Sequence, residues 1–89
     1  MTQTNGRRTV ERVQTGVRME KRLVKVLKGL AEYTELSLGD LLEGIVLHAF
    51  EGKTPFGAET LTAIADLKKV YGMDYGAEHS HKLIEKEIG

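Results

Sequence analysis

The 89 residues include no cysteine, which rules out disulfides, thiolate metal sites and cysteine nucleophiles together. No apolar run approaches the roughly 20 residues that span a bilayer. The polar, basic stretch from Met1 to Val10 lacks the apolar centre of a secretory signal, so a cytoplasmic protein is expected. Catalytic groupings are missing as well. There is no nucleophile beside a base and no phosphate-binding glycine loop, and the carboxylates fall at helical surface spacings. Of the three histidines, His79 and His81 lie two apart and point to different faces of any helix, while His48 is far away in sequence. Zinc normally takes three or four protein ligands. The chain is therefore read as a non-enzyme with no metal and no cofactor.

What is present is charge, unevenly distributed. The formal net charge is zero, yet residues 1–28 carry eight basic residues against two acidic ones, and residues 29–89 carry five against eleven. The basic end suits a polyanion, and the acidic end suits solvent or a different partner. A bland reading, in which both ends are simply kept soluble, accounts for the charge but not for its segregation.

Hydrophobic periodicity divides the chain further. From 12 to 19 the odd positions Val13, Thr15, Val17 and Met19 are apolar or β-branched, while Arg12, Gln14, Gly16 and Arg18 are polar or small. Period two makes this a strand, with its odd face expected to cover the helices. The spacing of Leu23, Val26, Leu27, Leu30, Ala31 and Tyr33 predicts a helix over about 20–34, in which Gly29 allows close packing. Ser37, with Asp40 three residues on, reads as the cap of a second helix running to about Phe50. That helix should bury Leu38, Leu41, Leu42, Ile45, Val46, Ala49 and Phe50, a face wider than one neighbouring helix needs. Gly52 closes it. Residues 53–57 form a linker, or a start signal with Thr54 as cap and Pro55 in the first turn. A third helix is expected over about 58–71, stopped by Gly72, and a fourth short one over about 74–88 on a thin stripe of Leu83, Ile84 and Ile88.

A lone strand cannot leave its backbone polar groups unpaired, and no second strand is evident in the sequence. Its simplest partner is the same strand of another copy. A chain this short also buries little surface alone, so association would relieve a shortage of core.

The order of basic strand, helix, tight turn with a capping serine, and helix resembles the ribbon-helix-helix family of bacterial DNA-binding regulators. The residues that carry the resemblance are Gln14-Thr15-Gly16-Val17-Arg18-Met19 and Ser37-Leu38-Gly39-Asp40-Leu41-Leu42, within about 12–51. It implies a mainly α homodimer with an intersubunit two-stranded antiparallel ribbon in the major groove, here with a C-terminal helical extension. The implied base-contacting residues are Gln14, Gly16 and Arg18. Arginine suits guanine O6 and N7, and glutamine suits adenine N6 and N7. Gly16 departs from the polar residue usual at the middle position and brings no side chain to a base edge. The implied phosphate contacts are the start of the second helix (Ser37, Leu38 and Gly39), with Arg7, Arg8, Arg12, Lys21 and Arg22 as further candidates. The implied dimer core is Val13, Thr15, Val17, Met19, Leu42, Ile45 and Val46.

The chain then divides into a mobile basic arm (1–11), a dimerisation and DNA-binding region (12–52) and an acidic helical extension (53–89). Its expected function is that of a homodimeric, sequence-selective binder of double-stranded DNA, a repressor or autoregulator of transcription associated with the nucleoid when bound. Residues 53–89 are expected to meet a protein partner, either a toxin or a second dimer. Three other readings stay open: an antitoxin whose extension wraps a toxin, an interaction-only dimer with a degenerate ribbon, and an all-α bundle in which 12–19 prolong the first helix. Gly16 and the β-branched run oppose the last.

Overall fold

A computed structural model describes residues 7–86. Helix α1 spans Lys21–Thr34, α2 spans Leu38–Phe50 and α3 spans Ala58–Tyr71, with a single 3-10 turn at Ala77–His79 near the end. The helices lie where the apolar periodicity places them, and each boundary has a local cause. Glu20 caps α1 by accepting from the Arg22 backbone N–H at 3.0 Å. The Ser37 hydroxyl caps α2 by accepting from the Asp40 N–H at 3.1 Å. The linker runs on to Gly57, so α3 starts without a side-chain cap and Thr54 and Pro55 lie outside it.

All three helices stop in the same way. A backbone N–H just past the end donates to the carbonyl five residues back: Leu36 to Ala31 at 2.9 Å, Lys53 to His48 at 2.9 Å and Met73 to Lys68 at 2.8 Å. This closure needs a left-handed residue just before the donor. Gly52 and Gly72 adopt it freely at φ 69° and 67°, but after α1 the position is Glu35, at φ 59°. A non-glycine residue there costs roughly 1 kcal/mol.

The expected β-ribbon is not present. Among the described residues there is no strand at all, and 7–20 carry no regular secondary structure. Strand pairing is a two-partner property, and the rest of the described residues supply only helices, turns and coil to pair with. Nor does the odd face cover the helices: Val13 is 81% and Val17 70% exposed, and Thr15 and Met19 are exposed too. The radius of gyration, 15.7 Å, exceeds the roughly 12 Å of a compact chain of this length, in keeping with an extended segment that buries none of its side chains. The fourth helix is also absent among the described residues, and Ile88 of its expected stripe lies outside them. After α3 the described chain is coil with one 3-10 turn, because Gly76 interrupts the segment and His81 takes a left-handed φ of 66°. Among its described residues the extension is therefore helical only through α3 and the 3-10 turn.

The core is small. Val26, Leu30, Ala31 and Leu41 are buried, and Leu27, Ile45, Phe56, Ile64 and Leu67 pack around them. The more extensive contact of α1 is with α3, at Gly29, where an added Cβ would sit 2.9 Å from Leu67 Cδ2 and 3.7 Å from Tyr71 Cε2. The close packing expected at Gly29 is thus made by α3. Helix α2 behaves differently: Leu41 is buried and Leu38, Leu42 and Ile45 are half-buried, while Val46, Leu47, Ala49 and Phe50 are exposed, Phe50 at 82%.

Candidate nucleic-acid interface

The candidate surface begins with the coil before α1. Every residue from Arg7 to Met19 is exposed, including Gln14, Gly16 and Arg18. Nothing lies within 4 Å of where a Gly16 Cβ would be, so the middle of this segment is bare backbone open to solvent. Two of its arginines are engaged by carboxylates from distant parts of the chain. Arg12 donates from Nε and Nη2 to both oxygens of Glu43 on α2, at 2.9 and 2.8 Å. That pairing raises the guanidinium pKa and lowers the Glu43 carboxyl. Arg18 pairs with Glu85, 67 positions away. Both pairs are largely solvated, so they hold the arginines weakly and a phosphate or base edge can displace the carboxylate.

Arg22 is placed differently. Its Nη1 donates to the Gly72 carbonyl at 2.9 Å and to Asp74 Oδ1 at 3.1 Å, and its Nε reaches Glu20 at 3.3 Å. Its guanidinium carbon lies 5.4 Å from the centroid of the Tyr75 ring. The side chain ties the start of α1 to the end of α3, a role that competes with a phosphate contact. Within this knot the Arg22 backbone N–H, more than any other group, holds the Glu20 carboxyl near a pKa of about 2. Burial, then the negative Glu20, raise the Tyr75 hydroxyl above its usual range. Glu20 Oε1 and the Tyr75 hydroxyl are both buried without a hydrogen-bond partner. Lys21 is exposed, and Lys25 lies 5.9 Å from the Tyr71 ring centroid.

The start of α2 supplies a second anchor. Ser37 uses its hydroxyl on Asp40, and Leu41 donates to the Ser37 carbonyl at 3.0 Å. Among the described residues the N–H groups of Leu38 and Gly39 donate to no protein acceptor. Free amides at the positive end of a helix dipole are the chemistry of a phosphate contact. The Asp40 carboxylate in the same turn opposes it, whereas Arg12 offsets Glu43 one turn further on.

Of the implied dimer core, Ile45 packs against the buried cluster and Leu42 is half-buried, while Val13, Thr15, Val17, Met19 and Val46 face solvent. His48 is exposed, with Nδ1 2.7 Å from the Gly44 carbonyl, and His79 lies 3.4 Å from Glu78. Among the described residues no three His, Asp or Glu side chains gather around a metal-sized point. Sequence reasoning did not find Glu43, Glu85 or Asp74 as partners of the arginines. The acidic excess of residues 29–89 was the only signal of them.

No protein-family model, curated protein or solved structure matches this chain. No helix among the described residues is long and apolar enough to cross a membrane.

Proposed function

We propose that this protein is a homodimeric, sequence-selective DNA-binding regulator of transcription, a cytoplasmic repressor or autoregulator of the kind the ribbon-helix-helix resemblance implies. The observation that carries the reading is the fully exposed basic segment at residues 7–19, which offers Gln14 and Arg18 to either side of a bare Gly16. Gln14 and Arg18 are suited to base edges, while Arg7, Arg8, Arg12 and Lys21 give salt-dependent affinity for phosphates. The amides of Leu38 and Gly39 add a fixed anchor at the start of α2. A second copy covers the apolar side chains of α2 and of the segment, Val46, Leu47 and Phe50 with Val13 and Val17, which one chain leaves in water. Dimerisation also brings two basic segments to one surface.

The test is fluorescence anisotropy of the protein on genomic fragments that include the upstream region of its own gene, at about 0.15 M salt, where weak non-specific binding is largely screened. Tight binding to one fragment over random DNA is expected, with affinity that falls as salt rises. Equal binding to all fragments contradicts sequence selectivity, and no binding contradicts the function.

A second reading is favoured by the exposed apolar residues of the extension, Val70 at 72% and Ile84 at 95%. In it, residues 53–89 dock a protein such as a toxin, and DNA binding serves autoregulation. Co-expression with the product of the adjacent gene, followed by size-exclusion chromatography, separates the two. A stable mixed complex supports the antitoxin reading, and separate elution opposes it.

A further inference from the structure

Between α1, α2, α3 and the coil after α3 lies a cavity of about 470 Å³, within the size range of small-molecule sites. Leu27, Leu30 and Ile64 are among its apolar lining, and Lys68, Ser80 and His81 supply polar groups. With four buried apolar side chains among the described residues, an apolar hollow of this size is unfavourable to leave to water. The lining has a further peculiarity. Residues 29–89 hold eleven acidic residues against five basic ones, yet no carboxylate lines the cavity, whereas one lysine and one histidine do. Among the described residues Lys68 forms no ion pair, unlike Arg12, Arg18 and Arg22. The coil at residues 73–83 supplies one wall of this hollow, which is open to solvent on another side.

We propose that this cavity binds a small amphipathic organic anion, with its apolar body among the leucines and isoleucines and its carboxylate on Lys68, with Ser80 and His81 nearby. Such a ligand meets both properties of the lining, an apolar surface without competing negative charge and an unpaired ammonium. The same coil carries Asp74 and Tyr75, which hold Arg22, and leads to Glu85, which holds Arg18. A ligand seated against it keeps the coil in place and Glu85 on Arg18. Its consequence is weaker DNA binding, and that step alone rests on the DNA-binding reading.

The site is tested first without DNA, on the full chain, by calorimetric titration with octanoate and with 1-octanol, and by following the Met73 and Ile64 methyl resonances. Octanoate should bind about tenfold more tightly than the alcohol, the order that one charge-assisted hydrogen bond supplies. Lys68→Gln should remove that preference and leave octanol binding unchanged, while Lys69→Gln, outside the lining, should alter neither. Equal affinity for acid and alcohol overturns the anion assignment. Absence of binding by both overturns the site, and Ile64 shifts that follow protein concentration would then assign the hollow to a second copy. Given binding, octanoate should weaken DNA affinity in the wild type and have no such effect in Glu85→Gln. An unchanged DNA affinity in the wild type overturns the regulatory step and leaves the site standing.

Discussion

Helices α1 and α2 are neighbours of almost equal length, 14 and 13 residues, and their fates are opposite to their compositions. Helix α1 is studded with Lys21, Arg22, Lys25, Lys28 and Glu32, yet it buries Val26, Leu30 and Ala31, because α3 lies along it at Gly29 and Leu41 of α2 packs with Leu30 and Ala31. Helix α2 has only Asp40 and Glu43 as carboxylates and is apolar on nearly every side, yet it buries Leu41 alone. Composition tells how much a helix must bury. Topology decides whether its own chain can do it. A helix that is apolar on most sides belongs in an interior, so the exposed side of α2 is the surface that the proposed dimer assigns to a second copy.

The sharpest break of this contrast is a core truncation in α1. Leu30→Ala should destabilise the fold by about 2–5 kcal/mol, read by denaturant melts. The companion change in α2, Phe50→Asp, should leave the monomer fold nearly intact but abolish self-association, read by sedimentation equilibrium. If Phe50→Asp leaves the association state unaltered, α2 is not the interface. Gly29→Leu forces a side chain into Leu67 and Tyr71 and should cost about 1–3 kcal/mol by overpacking. A smaller change strengthens the α1–α2 connection: Glu35→Gly relieves the left-handed residue at the end of α1 and should stabilise by roughly 1 kcal/mol in thermal or denaturant melts.

The smallest effect expected is an acid one at the start of α1. Glu20 titrates near 2 in the fold, against a usual 4.5. A carboxyl with a depressed folded pKa stabilises fully above its unfolded value and loses that contribution as the pH falls through the folded one. The start of α1 should therefore loosen between about pH 4.5 and 2, measured as faster amide exchange at Arg22. Glu20→Gln should remove that dependence while leaving the acid response of α2 in place.

The elements that the sequence made legible are those encoded locally. The i, i+3 and i, i+4 spacing of Leu23, Leu27 and Leu30 marks α1, and Ser37 marks the first turn of α2. The close approach at Gly29 was legible too, though not its partner. What was not legible depends on pairs far apart. Alternation over Val13, Thr15 and Val17 encodes a two-faced segment but cannot name the strand it pairs with, and this chain holds none among its described residues. The apolar positions after Asp74 were too few to outweigh Gly76 and the left-handed His81. At the candidate interface Gln14 and Arg18 are exposed, but so are Val13 and Val17, so the alternation did not sort the segment into an inner and an outer face. The carboxylates on Arg12 and Arg18, and the Arg22 knot with Gly72, Asp74 and Tyr75, join residues 31 to 67 positions apart, and no periodicity records them.

The central claim is that Arg18 reads a base rather than merely adding charge. The most direct measurement is the affinity of wild type and Arg18→Ala for the preferred fragment and for random DNA in parallel, at about 0.15 M salt. A lost bidentate contact should weaken the preferred fragment by roughly tenfold to a hundredfold and random DNA far less, which lowers the specificity ratio. Equal loss on both would make Arg18 a phosphate contact and contradict the account.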